Sequence, residues 1–168
     1  MLLTAPPART TPIASIDAVA RPSLHEFAGG DEAMLALTTA FHERCMADPD
    51  LNHPFSHGIS PHHVENLARY WAEVFGGPPS YSRVHGGHSA MLEVHACKGG
   101  ESLGPNFVPC FMLALDDARL PEDPEFRASM RRYIEWATDE VNSYAPAGRR
   151  VEPDRPMPRW SWEGPIPA

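Results

Sequence analysis

Nine of the 168 residues are histidines, and histidine is the side chain best suited both to bind a transition metal and to carry protons near pH 7. Most histidines in proteins do neither. We therefore interpret five of them as ordinary surface or hydrogen-bonded core residues: His25, His53, His57, His85 and His88. The search for chemistry therefore narrows to histidines beside apolar helical stripes, of which His63 and His95 stand out.

The cysteines make zinc the weaker metal hypothesis. Zinc prefers close pairs of cysteine and histidine, and the one such pair, His95 and Cys97, has no second pair at finger spacing. Cys45, Cys97 and Cys110 are an odd number without paired spacing, which also argues against a disulfide framework. We interpret them as ordinary semi-buried thiols.

Two predicted helices carry histidines that a flat apolar cofactor could sit between. His95 shares a short helix with Met91 and Leu92, while His63 and Leu67 lie one turn apart beside the apolar stripe of another helix. If these helices face each other, one imidazole can bind the metal of the cofactor from one side, with an imidazole or a leucine on the other. Three aromatic residues are available as walls: Phe41, Phe55 and Trp71.

This arrangement describes a haem site. The covalent attachment signature C-x-x-C-H is absent from the sequence. We therefore predict haem b (iron protoporphyrin IX), held by its iron bond and by burial alone.

The elements that must position these residues all show helical periodicity, so we predict an all-α fold. No run alternates apolar and polar residues long enough to indicate a strand. Each predicted helix has a capping residue or a proline near its first turn, and the helices should begin close to Asp31, Ser60, Ser89, Pro109 and Asp123.

Composition and length exclude several classes of function. The chain has 14 basic and 22 acidic residues, a net charge of −8, and no basic cluster that would bind nucleic-acid phosphates. No apolar stretch approaches the roughly 20 residues that a membrane helix needs. The first residues, Met1 to Thr4, lack the basic flank and apolar block of a secretory signal, so we expect a cytoplasmic protein.

The distribution of proline divides the chain into one domain and two tails. We predict a flexible arm over residues 1–24, a helical cofactor-binding domain over 25–145 and a tail over 146–168. Because Trp160 and Trp162 would be costly to leave in water, we expect the C-terminal tail to dock on the domain.

Six blocks between about residues 25 and 162 match the order and spacing of one protein family. They are HEFAGG at 25–30, DPDL at 48–51 with Phe55, EVFGGP at 73–78 with Tyr81 and Ser82, Met91 and Leu92 with His95, LPEDPEF at 120–126 with YIEW at 133–136, and PMPRW at 156–160. Together these blocks resemble the group II truncated haemoglobins, the small bacterial globins with a two-over-two helical sandwich.

The resemblance implies roles for individual residues. His95 would be the proximal iron ligand, its second ring nitrogen fixed by a backbone carbonyl or water. His42, Phe55, His63 and Leu67 would surround the position where a gas molecule binds. The full set of expected cofactor-binding residues is Phe41, Phe55, Leu67, Trp71, Tyr81, Met91, Leu92 and Phe107.

Two departures from the family pattern change the distal side. His42 stands where the family commonly has a tyrosine, and Phe107 is the nearest match to a tryptophan, so two usual hydrogen-bond donors are absent. The segment from Cys97 to Pro109 is also shorter than usual and carries Pro105, which predicts a helix unwound at its start. Whether Phe107 faces the pocket is left open by this pattern.

Three functions follow from these features. The preferred one is a globin that binds oxygen, nitric oxide or another diatomic ligand, with His42 and His63 above the iron and an electron donor among its partners. The alternative is a haem enzyme in which these two histidines are catalytic, for peroxidase, dioxygenase or nitrogen-compound chemistry. The third is a haemless interaction module that uses Trp160 and Trp162 as contacts.

Overall fold

The computed structural model of the chain describes residues 20–52, 60–96, 103–144 and 149–167. Within these ranges the chain forms seven helices and one two-stranded hairpin. The elements are α1 (Leu24–Ala28), α2 (Gly30–Ala47), α3 (His63–Val74), α4 (Ser82–His85), α5 (His88–Ala96), α6 (Phe107–Asp117), α7 (Pro124–Ser143), β1 (Arg159–Ser161) and β2 (Gly164–Ile166). None of the helices in these ranges is long and apolar enough to cross a membrane.

The core lies between two pairs of long helices, α2 with α3 and α6 with α7. α2 packs on both α3 and α6, and α6 packs in turn on α7. The apolar stripe of α2 is buried along its whole length because its members recur every three to four residues and so share one face: Met34, Leu37, Phe41 and Cys45. The all-α prediction is confirmed, and the two pairs form the two-over-two sandwich.

A short helix that the sequence analysis did not separate precedes α2. Ser23 and Glu26 cap α1 reciprocally, since each side chain accepts a hydrogen bond from the backbone N–H of the other. Leu24 is buried, so Ser23 and Leu24 belong to the folded domain rather than to the arm predicted over residues 1–24. Residues 1–19 of that arm lie outside the described residues.

Two predicted helix starts are displaced from the observed ones. The Ser60 hydroxyl and carbonyl accept bonds from His62 N and His63 N, which form a turn ahead of α3, so the helix begins at His63. Ser89 does not cap α5, which begins one residue earlier. Its buried hydroxyl instead donates to the carbonyl of Glu152, because this distant partner competes successfully with the local cap.

The last two long helices begin close to the predicted positions. α6 begins at Phe107, which leaves Pro109 in the first turn, where a missing N–H costs no helical bond. The Asp123 carboxylate caps α7 by accepting a bond from Phe126 N at 2.8 Å.

The C-terminal segment folds back onto the helices and contains the one pair of strands in the described chain. Trp160 and Trp162 are only 5% and 8% exposed. The indole of Trp162 donates to the Pro22 carbonyl and lies under the Arg21 guanidinium, 3.3 Å from the ring centre. The expectation that no strand would form is wrong here, because strands of three residues are too short to show an alternating pattern.

Candidate functional site

An open cavity lies among α2, α3, α5, α6 and α7. Most of the side chains that line it are apolar, and the imidazoles of His63 and His95 are the histidines among the described lining residues. A large apolar cleft with a few polar groups is typical of a site for an organic cofactor. The cavity therefore has the apolar lining that a porphyrin requires.

The cavity brings together most of the residues predicted for the site. Those that line it are Phe41, His63, Leu67, Trp71, Met91, His95 and Phe107. His42 is half-buried beside His63 without lining the cavity. Phe55 falls outside the described residues.

His95 lies in the last turn of α5, with its side chain exposed at the cavity wall. Its Nδ1 is 2.8 Å from the carbonyl oxygen of Met91, one helical turn back. Because a carbonyl only accepts, Nδ1 carries the proton and Nε2 carries the lone pair that can bind a metal. The ring is thus held in the tautomer and orientation that the resemblance implies for a proximal ligand.

At the cavity, α2 and α3 bring two more imidazoles together. The ring centres of His42 and His63 are 5.7 Å apart, with the ring planes inclined at 53°. His63 lies in the first turn of α3, and His42 follows Phe41 on α2. Two titratable rings therefore meet at the α2–α3 contact, next to the cavity.

A cluster of aromatic rings closes the inner end of the cavity. Phe41 lies at its centre, with ring centres 5.6 Å from Trp71, 5.1 Å from Phe107 and 5.9 Å from Phe111. Edge-to-face contacts of this kind fix ring positions as well as burying apolar area. Phe107 is the first residue of α6 and lines the cavity, a point that the sequence pattern had left open.

Tyr81 and Leu92 were expected at the cofactor, and neither lines the cavity. The backbone N–H of Tyr81 is held by the Glu73 carboxylate, and its ring packs behind Tyr70 at 5.1 Å, so Tyr70 separates it from the cavity. Leu92 is fully buried and follows Met91, which lines the cavity. Consecutive helical residues point about 100° apart, so the two side chains face different ways.

One face of α7 also lines the cavity, which sequence reasoning missed. Its lining residues are Tyr133, Ile134, Ala137 and Val141. Their helical spacing indicated a buried face, but the same spacing suits a closed core and a cofactor wall equally well. Burial raises the pKa of Tyr133, so its hydroxyl remains neutral in this wall.

Behind Tyr70 lies a second polar cluster, formed by the other histidine of α5. His88 is buried and bonds Tyr70 on one side and Glu140 on the other. Burial alone would raise the pKa of the Glu140 carboxyl, but the hydrogen bond from His88 and the positive charge of Arg155 bring it below its ordinary value. This cluster fits the interpretation of His88 as a hydrogen-bonded core residue.

His25, another histidine interpreted in that way, is buried as well. Its Nε2 lies 2.8 Å from Asp31 Oδ1.

Comparison with known proteins assigns the family. The sequence model of the bacterial-like globins matches residues 23–138. No match to the sequence is found among curated proteins.

Several solved structures are similar. The haemoglobin of Chloroflexus aurantiacus is 29% identical, over 72% of this chain and 98% of its own, with a TM-score of 0.58. The group II 2-on-2 haemoglobin of Agrobacterium tumefaciens is 23% identical over 74% and 96%, with a TM-score of 0.60. The haemoglobin of Thermobifida fusca is 22% identical over 76% and 100%, with a TM-score of 0.57.

The family match covers well over half of the chain, and the fold, the cavity and the histidine on its wall agree with it. The chain therefore belongs to the bacterial-like globin family, as a haem-binding globin with the two-over-two fold of the truncated haemoglobins.

Proposed function

We propose that the cavity holds haem b through an iron bond from His95, and that the iron binds oxygen, nitric oxide or a similar diatomic ligand on the side of His42 and His63. The observation that carries this proposal is the hydrogen bond from His95 Nδ1 to the Met91 carbonyl at the wall of an apolar cavity. A donated Nδ1–H raises the basicity of Nε2 and prevents the ring from turning away from a metal.

The apolar wall supplies the rest of the binding. Leu67, Met91 and Phe107 offer side chains that a porphyrin face can cover, and each 100 Å² of apolar surface removed from water contributes about 2.5 kcal/mol. Haem supplies an iron centre that takes diatomic ligands, while the chain orients it and limits the access of water. No covalent attachment is needed.

In this proposal His63, which lines the cavity, acts on a bound ligand. A neutral imidazole can donate a hydrogen bond from one ring nitrogen to a polarised diatomic molecule. His42 lies beside it, with the two ring centres 5.7 Å apart, and does not line the cavity. In this proposal the histidine pair replaces the tyrosine that the resemblance leads one to expect at position 42.

A second candidate function is favoured by the same pair. Two adjacent imidazoles can act as an acid and a base on a peroxide or an oxidised nitrogen compound, which would make the protein a haem enzyme. Turnover that collapses in His42→Ala or His63→Ala while haem stays bound supports this enzyme, and unchanged turnover in both variants contradicts it.

The location and the redox partner complete the proposal. We place the protein in the cytoplasm, supported by Cys45 and Cys110, which lie as free thiols with their sulfurs 3.8 Å apart. An electron donor would keep the iron in the ferrous state that binds oxygen.

Titration of the chain with haem tests the function. The wild type should develop a sharp Soret band at one equivalent, and His95→Ala should lose that band or shift it to that of unligated haem. His85→Ala is the matched control, because His85 lies on α4 and does not line the cavity. A chain that takes up no haem, or a His95→Ala variant with the wild-type spectrum, would contradict the proposal.

A further inference from the structure

A continuous chain of polar groups runs from the cavity wall to the C-terminal segment. Tyr70 Oη lies 2.8 Å from His88 Nδ1, and His88 Nε2 lies 2.9 Å from Glu140 Oε2. The other oxygen of Glu140 lies 2.6 Å from a guanidinium nitrogen of Arg155. Tyr70 and His88 are 3% and 2% exposed, so solvent hardly reaches this end of the chain.

The chemistry of the partners sets the direction of each hydrogen bond. Arg155 only donates, and the ionised Glu140 carboxylate only accepts, so His88 must donate from Nε2. In the neutral imidazole, Nδ1 then carries the lone pair, and the Tyr70 hydroxyl donates to it. Tyr70 is therefore a phenol with a proton acceptor already in place, and that acceptor is backed by a carboxylate.

Burial prevents the phenol from ionising by itself. Desolvation, with the charge of Glu140 among the smaller contributions, raises the pKa of Tyr70 well above its ordinary value, so the phenolate does not form near neutral pH. Oxidation of Tyr70 can give a neutral tyrosyl radical if the electron and the phenolic proton leave the side chain together, because the proton can move to His88. The same residue lines the cavity in which we place haem.

We propose that Tyr70 is a redox-active residue that returns one electron to the haem after a hydroperoxide has oxidised it. The proposal rests on the proposed function, because it requires haem in the cavity. Haem bound in the cavity would supply two electrons to hydrogen peroxide, which would take two protons from solvent as its O–O bond breaks and become two molecules of water.

With haem bound, Tyr70 would return one of these two electrons, and an external one-electron donor would return the other. The phenolic proton of Tyr70 moves to His88 Nδ1, and the products are a neutral tyrosyl radical and an imidazolium that faces Glu140. An external one-electron donor of the phenol or ascorbate class reduces the radical, and the proton returns to Tyr70.

The carboxylate and the guanidinium make this step feasible in a buried place. A positive charge formed on an isolated buried imidazole is strongly unfavourable, whereas the Glu140 carboxylate already accepts from that ring at 2.9 Å. Arg155 keeps Glu140 ionised before the step occurs.

Tyr81 offers a matched control. Its ring centre is 5.1 Å from that of Tyr70, but the described hydrogen bonds join Tyr70, not Tyr81, to His88. It also does not line the cavity.

The test is high-field electron paramagnetic resonance of the haem-loaded protein, frozen shortly after mixing with hydrogen peroxide. We expect a tyrosyl radical whose g-tensor and exchangeable-proton coupling report a hydrogen bond at the phenoxyl oxygen. Tyr70→Phe should lose this signal and Tyr81→Phe should keep it. Glu140→Gln should keep a radical but alter the hydrogen-bond coupling, which a purely structural role of the cluster would not produce.

The outcomes distinguish the role of Tyr70 from the proposed function on which it rests. A wild-type protein that binds haem but forms no tyrosyl radical, or a Tyr70→Phe variant that keeps the signal, overturns the role of Tyr70 alone. A chain that binds no haem overturns both proposals. If Tyr70→Phe fails to fold, the hydrogen-bond coupling in the wild type with ring-deuterated tyrosine decides, and a radical without that coupling contradicts the proposal.

Discussion

The two histidines of α5 have opposite surroundings, although they lie two turns apart on the same face of one helix. His88, at the first residue, is 2% exposed and is bonded through both ring nitrogens to Tyr70 and Glu140. His95, in the last turn, is exposed at the wall of an open cavity, and its Nδ1 is bonded within its own helix. The same residue type thus has two roles. His88 holds α5 to α3 and α7 through hydrogen bonds, and His95 faces the cavity in which we place haem.

Haem affinity should be the property in which substitutions of His95 and of His88 differ most. His95→Gly removes the proposed iron ligand, and we expect haem binding to weaken by more than the roughly 10- to 100-fold that loss of a partner behind a ligand costs. Added imidazole should restore the spectrum by entering the space left by the side chain. A titration in which His95→Gly binds haem as the wild type does would remove the difference between the two histidines.

The free energy of unfolding of the haem-free chain should fall more when His88 is substituted than when His95 is substituted. His88→Leu leaves the Tyr70 hydroxyl and one Glu140 oxygen without their partner, and a buried polar group in that condition costs about 1–3 kcal/mol. His95→Leu changes an exposed residue and should stay within about 0.5 kcal/mol of the wild type. Urea unfolding measures both, and equal losses in the two variants would contradict the assignment of separate roles.

A substitution in the distal pair of His42 and His63 should have a smaller effect, which is on the rate of ligand release. A single hydrogen bond from His63 to bound oxygen contributes about 0.5–1.5 kcal/mol, so His63→Leu should speed oxygen dissociation by about two- to tenfold. Carbon monoxide, which accepts hydrogen bonds more weakly, serves as the control ligand and should be affected less. Stopped-flow displacement measures both rates, and an unchanged oxygen rate would place His63 outside the ligand contacts.

The dependence of stability on pH should give the smallest effect. The folded-state pKa of Glu140 lies below the ordinary value of 4.5, so its ionised form contributes stability that is fully present above that value. This contribution is lost as the pH falls through the folded-state pKa. Glu140→Gln should therefore differ most from the wild type at neutral pH and approach it at acidic pH, and a constant difference in unfolding free energy would refute the ionised pair.

Local signals account for much of the fold. The spacing of apolar residues and the capping signal at Ser60 were enough to place the start of α3 within a few residues, because they act within one or two turns. The displaced prediction at Ser89 has a different cause, since its partner, Glu152, lies 63 residues away in the sequence. Contacts of that range leave no trace in a local pattern.

The candidate site also contains some residues that local patterns reveal and others that depend on contacts distant in the sequence. His63 and His95 stood out because each lies beside an apolar stripe on its own helix. The cluster of Tyr70, His88 and Glu140 joins residues 18 and 52 positions apart, so sequence reading could interpret His88 only as a core residue. Tyr81 matches the motif without lining the cavity, because a motif gives the order of residues but not which side chain faces a cavity.

Resonance Raman spectroscopy of the ferrous protein, excited in the Soret band, tests the central claim most directly because it observes the iron–histidine bond itself. The account predicts an iron–histidine stretching band that shifts with ¹⁵N-labelled histidine, disappears in His95→Gly and remains in His88→Leu. A band that persists in His95→Gly without added imidazole, or that disappears in His63→Leu instead, would contradict it.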